Sequence, residues 1–130
     1  MTTEAELAAW VREYSDHFGF SFHAKDPTMM RPYCHVPALG IGGGRVNLIS
    51  TVEESDARWA AAHAGLPEDY DHSVLHTVDV TFTSPTAAYV TVNCGRYNKA
   101  GEEYVNFDAS YVVAQVEEGW RITTWIGHAR

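Results

Sequence analysis

The sequence predicts an α+β fold, with helices in its first half and an antiparallel sheet in its second half. Apolar residues recur at helical spacing near the N-terminus, whereas Val, Thr, Tyr and Trp dominate from Asp71 onward, as in strands. The chain has 130 residues, and 45% of them are apolar, which suits one domain spanning 1–130 with its own core.

Three helices are predicted in the first half of the chain. The first begins after Thr3, where Glu6 completes the spacing of a capping box, and ends at Gly19. A second, short helix begins at Asp26-Pro27, because aspartate caps a helix and proline fits its first turn. The third begins after Thr51 and turns three side chains inward: Val52, Trp59 and Ala62.

Six strands are predicted, two short ones before the third helix and four longer ones after it. Glycines 42–44 separate two short strands, 34–41 and 45–49, which indicates a hairpin. Four longer strands follow at 72–82, 88–97, 104–116 and 120–128. Turn-forming residues separate each of these strands from the next, which is typical of an antiparallel meander.

Charge and end sequences limit the partners and the location of the protein. Lys and Arg number 9 against 17 Asp and Glu, a formal net charge of −8. Nucleic acids and anionic membranes bind basic surfaces, so neither is expected as the main partner. The N-terminus lacks the pattern of a signal peptide and no apolar run suits a membrane span, so we expect a cytoplasmic protein. Cys34 and Cys94 are expected to be free, buried thiols.

Six segments along the chain occur in the order and spacing of a known superfamily. They are Val11-x-x-Tyr14, Ala24-Lys25-Asp26-Pro27, the glycine-rich hairpin, the Trp59 helix, Tyr111-Val112-Val113 and Glu118-Gly119-Trp120-Arg121-Ile122. In these segments the chain resembles the nuclear transport factor 2-like superfamily, which includes the SnoaL-like polyketide cyclases and ketosteroid isomerase. The resemblance implies a curved, mostly antiparallel sheet wrapped over the helices as a cone, a pocket at its wide end, and frequent homodimers.

Strand alternation predicts which side chains face the helices. The more apolar set of alternating positions should face inward, and four polar members of that set need a partner or a ligand: His76, Arg96, Tyr111 and His128. The other set is polar with interleaved aromatic residues. Together with the resemblance, it favours a homodimer interface on the open sheet face, through Tyr89, Thr91, Asn93 and Trp125.

Candidate catalytic residues follow partly from the resemblance. Tyr14 is similar in position to the oxyanion-hole tyrosine of ketosteroid isomerase, and His35 lies near the position of that enzyme's basic carboxylate. No Asp or Glu lies between positions 26 and 53, which disfavours ketosteroid isomerisation. Tyr111 matches the position of the isomerase's acidic donor, and a β-bulge would substitute Asp108 for it.

Histidines on the inward set provide further candidates. His76 and His128 are candidate general bases, since imidazole titrates near neutral pH. A hydrogen-bonded structural histidine is the alternative for each, and a packed core tyrosine is the alternative for Tyr14. The residues expected to bind a ligand are His17, Trp59, Cys94, Arg96 and Phe107.

Two functions remain open from the sequence. One is a cofactor-independent SnoaL-like enzyme of the isomerase, cyclase or dehydratase type, acting on a small hydrophobic or weakly polar molecule. The other is a non-catalytic ligand-binding or dimerisation module of the same fold. No metal or cofactor is expected. The sequence lacks the residue spacings typical of metal ligands, and its glycine-rich run lacks the ending of a phosphate-binding P-loop. Hydrogen bonds among His76, Tyr111 and His128 around an open cavity would favour the enzyme.

Overall fold

A computed structural model describes residues 1–128, and its helices and strands follow the predicted order. The helices are α1 (Glu4–Ala24), a 3-10 helix (Pro27–Tyr33) and α2 (Val52–Ala64). The strands are β1 (Cys34–Gly42), β2 (Arg45–Ile49), β3 (Tyr70–Ser84), β4 (Ala87–Asn98), β5 (Glu103–Val116) and β6 (Gly119–Gly127). The predicted α+β fold is confirmed. Within residues 1–128, no helix has the length and apolar character that crossing a membrane requires.

All six strands form one mixed sheet in the order β2-β1-β6-β5-β4-β3. Only the β1–β6 pair is parallel, and the other neighbours are antiparallel. The sheet does not close, so β2 and β3 are its edges. The helices pack on one face of the sheet, and the apolar core lies between them and that face.

Helix α1 begins as predicted but ends later. The Thr3 hydroxyl accepts a hydrogen bond from the Glu6 amide at 3.1 Å, and the Glu6 carboxylate accepts one from the Thr3 amide at 3.0 Å. The predicted end at Gly19 is wrong, because the helix continues to Ala24 and ends at Lys25 in a left-handed conformation with φ 55°. Gly19 instead allows close packing: a Cβ there would lie 3.4 Å from the Tyr70 hydroxyl.

Helix α2 turns most of its predicted residues toward the core. Its N-cap is Thr51, whose hydroxyl accepts a hydrogen bond from the Glu54 amide at 3.1 Å. Trp59 is buried, whereas Val52 is 41% exposed, so the predicted inward position of Val52 is wrong. Val52 is the first residue of the helix, and the buried stripe begins one turn later at Ser55.

Strand β3 contains a β-bulge at His76. Its register against β4 skips one residue between two pairs, Leu75 with Cys94 and Thr77 with Asn93. An extra residue reverses the alternation of side chains on either side of it. Leu75 is therefore buried, whereas Val74 and His76 are exposed. The predicted inward orientation of Val74 and His76 is wrong for this reason.

Strand β6 contains a second β-bulge, at Thr123. Its register against β5 skips one residue between two pairs, Val113 with Ile122 and Val112 with Thr124. The bulge turns Trp125 toward the helices, where it is buried, so its predicted place on the open sheet face is wrong. It also turns His128 to the outer face, beside Ser110, so the predicted inward orientation of His128 is wrong as well.

Strands β4 and β5 pair without interruption from Ala87 to Arg96. No bulge therefore intervenes near Asp108, which is exposed on the outer face, where its carboxylate accepts a hydrogen bond from Asn93 at 2.8 Å. Tyr111 faces inward and is buried, as the alternation predicts. The alternative in which Asp108 replaces Tyr111 is contradicted.

The thiol of Cys34 connects β1 to α2 inside the core. The Trp59 indole donates a hydrogen bond to Cys34 Sγ at 3.3 Å. Burial raises the pKa of the Cys34 thiol to about 11, although the Trp59 hydrogen bond acts in the opposite direction. Cys34 and Cys94 are both free and buried, as predicted.

The core between sheet and helices predicts a contrast between two valine-to-alanine variants. Val113 on β5 is 0% exposed, whereas Val46 on β2 is 68% exposed. We expect Val113→Ala to lower the free energy of unfolding by about 2 kcal/mol, because two methyl groups leave a packed site. Val46→Ala should change it by less than about 0.5 kcal/mol. Urea denaturation measures both, and equal losses would contradict this description of the core.

The burial of Cys34 predicts slow alkylation and a loss of stability at high pH. At pH 8, iodoacetamide should modify Cys34 in the folded protein roughly a hundredfold more slowly than in the unfolded chain, because the thiolate is scarcer. Mass spectrometry of the Cys34 peptide measures the rate of modification, and equal rates in both states would refute the burial effect.

The same pKa shift makes stability depend on pH. The thiol of the unfolded chain ionises near its usual pKa of 9.0, at a lower pH than the thiol of the folded protein. The free energy of unfolding should therefore fall as pH rises from 9.0 toward about 11.

Candidate functional site

An open cavity of about 610 Å³ lies between the helices and the inner face of the sheet. This volume is in the range of small-molecule sites. The large side chains of its wall are mainly aromatic and aliphatic: Tyr14, Phe18, Trp59, Leu75, Phe107, Tyr111 and Trp125. Both α-helices and all six strands contribute lining residues, and β2 contributes Asn47.

A cluster of aromatic rings forms one wall of the cavity. The Trp125 indole donates a hydrogen bond to the Tyr14 hydroxyl at 3.0 Å. The rings of Tyr14 and Tyr111 meet edge to face with centroids 5.6 Å apart, and those of Trp59 and Trp125 do so at 5.9 Å. Such edge contacts are favourable beyond the area that they bury. The cluster therefore fixes the wall through contacts among α1, α2, β5 and β6.

Two arginines reach the cavity from different elements. The guanidinium of Arg58, on α2, lies 4.3 Å from the Trp125 ring centre and 5.4 Å from that of Trp59. It crosses Gly40 on β1, where a Cβ would lie 3.6 Å from Arg58 Nη2. The guanidinium of Arg96, on β4, lies 4.9 Å from the Phe107 ring centre. Both charges are thus held against aromatic faces.

The two guanidiniums have no acidic partner among residues 1–128. The ion pairs of that range join other residues: Arg31 with Asp56, His72 with Asp71, and His76 with Glu103. Arg96 Nε is buried, and it has no hydrogen-bond partner there. Buried polar atoms are nearly always paired, so an unpaired N–H donor at a cavity wall indicates a place for an acceptor.

The titratable groups of the cavity keep their protons at neutral pH. Burial raises the pKa of Tyr14 and of Tyr111 above their ordinary values, and burial also raises the pKa of the Cys94 thiol. The described lining contains no Asp, Glu or His. These side chains can donate hydrogen bonds or protons, but they are poor proton acceptors near pH 7.

Six of the predicted site residues meet at this cavity. They are Tyr14, Trp59, Cys94, Arg96, Phe107 and Tyr111. Tyr14 and Tyr111 are two of the five candidate catalytic residues, and the structure brings their rings into contact. Their catalytic roles stay predictions.

The four predicted site histidines lie away from the cavity wall. Their partners are local: His17 Nδ1 is 2.9 Å from the Tyr33 hydroxyl, His35 Nδ1 is 2.7 Å from the Pro37 carbonyl, His76 Nε2 is 3.2 Å from Glu103, and His128 Nε2 is 2.7 Å from the Ser110 hydroxyl. His76, Tyr111 and His128 do not come together, because both histidines face outward. In the described part of the chain, no three His, Cys, Asp or Glu side chains are arranged to hold a metal ion.

Sequence reasoning missed two important wall residues, Arg58 and Trp125. Arg58 falls between Ser55 and Ala62 at helical spacing, so the period of 3.6 residues could have placed it on the inward face of α2. Trp125 had no such local signal, because the bulge at Thr123 depends on pairing with β5.

The outer face of the sheet carries the remaining residues of the predicted homodimer interface. Tyr89 is 40% exposed. Thr91 and Asn93 are half-buried, and each forms a hydrogen bond with a neighbouring side chain, Ser110 and Asn106 respectively. Trp125 is not part of this face. The homodimer stays a prediction.

A second concavity of about 650 Å³ lies between the end of α1 and helix α2. It is a surface groove with few aromatic rings, lined by Phe22, His23, Lys25, Pro27, Ala60, His63, Ala64 and Glu68. In it, His63 Nε2 is 2.8 Å from the Ser21 hydroxyl, and burial lowers the pKa of His63. The groove is separate from the aromatic cavity and shares no lining residue with it.

Solved structures with the same fold come from several bacteria. Two proteins of unknown function with a cystatin-like fold, both from Nostoc punctiforme, are similar in structure. One has 10% identity and a TM-score of 0.75, and the match covers 96% of this chain and 91% of the other. The second has 17% identity and a TM-score of 0.70, and the match covers 99% of this chain and 80% of the other. A nuclear transport factor 2-like superfamily protein from Salmonella enterica has 15% identity and a TM-score of 0.63, with 98% and 95% covered. At these identities the likeness shows the fold alone.

Sequence comparison gives the family. No curated protein matches the chain. A family model described as NTF2-like protein (DUF6841) matches residues 4–130, which is nearly the whole sequence. The predicted resemblance to the nuclear transport factor 2-like superfamily is therefore confirmed, and the chain belongs to the NTF2-like family DUF6841.

Proposed function

We propose that the chain binds a small, largely apolar molecule in the aromatic cavity, as a ligand-binding module of the NTF2-like fold. The observation that carries this proposal is the cavity itself, about 610 Å³ and walled by large aromatic side chains. Ligand sites typically combine such apolar walls with a few polar groups that fix orientation. Here those groups are the phenols of Tyr14 and Tyr111 and the two guanidiniums.

The protonation of the cavity favours binding over acid–base catalysis. General base catalysis needs a group that accepts a proton near the working pH, within hydrogen-bond reach of the substrate. The phenols of Tyr14 and Tyr111 and the thiol of Cys94 are already protonated near pH 7 at their ordinary pKa, and burial raises the pKa of each further. The imidazoles that could accept a proton, such as His76 and His128, make their hydrogen bonds on the outer face.

The enzyme of the SnoaL-like kind is the second candidate function. Its support is the hydrogen bond that the Trp125 indole donates to the Tyr14 hydroxyl. This bond orients the Tyr14 phenol beside Tyr111, where its O–H would polarise a carbonyl group of the substrate. It would require a substrate that supplies its own base. Tyr14→Phe would then abolish turnover, whereas a binding module would lose only part of its affinity.

The aromatic cavity predicts binding of a neutral, polarity-sensitive dye. Prodan, an uncharged naphthalene, should bind the wild-type protein with a blue shift of its emission. Ala62 lines the cavity from α2, so Ala62→Trp should fill it and weaken binding at least about tenfold. Fluorescence titration measures both affinities.

Ala60→Trp is the matched control, because Ala60 lies on the same helix but lines the separate groove. This variant should bind Prodan as the wild type does. If Ala60→Trp weakens binding and Ala62→Trp does not, the dye occupies the groove and the proposal is wrong. It is also wrong if the wild type does not bind the dye. Circular dichroism and thermal melting verify that both variants are folded.

A further inference from the structure

Two positive charges line a cavity whose described wall has no negative one. Arg58 enters from α2 and Arg96 from β4, and both line the cavity. Sequence alternation placed only Arg96 on the inner face and so favoured an apolar or weakly polar ligand. The second guanidinium changes that balance, because two cations in a partly dehydrated space attract an anion more strongly than one.

Both arginines line the same cavity as Tyr111. Burial raises the pKa of Tyr111, and the positive charges of Arg96 and Arg58 both oppose that rise. Each arginine also acts alone elsewhere: Arg58 on Tyr14, and Arg96 on Cys94. The two guanidiniums lie on different elements of the wall, Arg58 against Trp125 and Arg96 against Phe107.

The way each arginine is held leaves its N–H groups available. A contact with an aromatic face stabilises a guanidinium through its flat surface and does not use its N–H donors, which lie in the plane of the group. The guanidinium carbon of Arg58 lies 4.3 Å from the Trp125 ring centre, and that of Arg96 lies 4.9 Å from the Phe107 ring centre. The buried Arg96 Nε has no partner among residues 1–128.

We propose that the ligand is a small organic carboxylate with a flat apolar body, whose carboxylate accepts hydrogen bonds from Arg58 and Arg96. The proposal rests on the proposed function, since it specifies the ligand of the same cavity. A carboxylate matches the planar fork of a guanidinium and carries a single charge. A doubly charged group would lose more hydration against walls built from Trp59, Phe107 and Tyr111.

A matched pair of probes isolates the contribution of the charge. 2-Naphthoate and 2-naphthamide share one apolar body and nearly one shape, but only the first is an anion at pH 7.5. Calorimetric titration should find 2-naphthoate bound at least about tenfold more tightly by the wild type, as expected for charge-assisted hydrogen bonds. The ratio of the two affinities is the readout.

Variants assign that ratio to the two arginines. Arg96→Gln and Arg58→Gln should each reduce the ratio several-fold toward one, and Arg96→Lys should restore part of it. Arg45→Gln is the control, because Arg45 is exposed on β2 and lines neither cavity nor groove, and it should leave the ratio unchanged. Since Arg58 and Arg96 lie on different elements, misfolding of one variant leaves the other as a test.

The failures of the two proposals are distinguishable. Equal affinity of the wild type for both probes, or a ratio unchanged in both Gln variants, would overturn the carboxylate proposal. Binding of Prodan in the cavity would in that case still support the proposed function. If the wild type binds neither naphthalene probe nor Prodan, both proposals are wrong.

Discussion

The hydrogen bond from the Trp125 indole to the Tyr14 hydroxyl, 3.0 Å long, joins the last strand to the first helix beside the cavity. A buried indole N–H without a partner costs free energy, so this bond makes it possible for Trp125 to face the interior. Tyr14 extends the contact to Tyr111 and Trp59 through ring edges. Four elements are thereby held around one space, and all of this depends on the bulge at Thr123 that turns Trp125 inward.

The aromatic cluster also positions one of the two positive charges in the cavity wall. Arg58 lies over the faces of Trp125 and Trp59, so the indole that is fixed by Tyr14 in turn fixes a guanidinium. A carboxylate partner would have neutralised that guanidinium and occupied its donors. Aromatic contact instead leaves both the charge and the donors in place. The hydrogen bond that fixes the aromatic wall therefore also positions one of the two cavity charges, that of Arg58.

Much of the fold could be predicted from the sequence, because capping residues, turns and periodicity are local signals. The strand bounds agree within two residues, and Tyr111 and Arg96 face the cavity as predicted, since β4 and β5 pair in regular register. The candidate site was less predictable. A bulge depends on how one strand pairs with its neighbour, so the outward orientation of His76 and His128 had no local signal. The sequence predicted site histidines because imidazole titrates near neutral pH, whereas the charged groups of the cavity wall are arginines.

The net negative charge of the chain and the positive charges of the cavity would act on the proposed anion at different ranges. The formal net charge of −8 repels an anion at a distance, and salt screens such repulsion beyond about 8 Å at physiological ionic strength. An anion bound in the cavity as proposed would contact Arg58 and Arg96 at short range and partly shielded from water, so salt would screen that attraction far less. The overall charge would then affect the rate at which the anion arrives, and the two guanidiniums would affect how long it stays. For this reason a net charge of −8 is compatible with an anionic ligand, although it argues against a polyanionic partner on the surface.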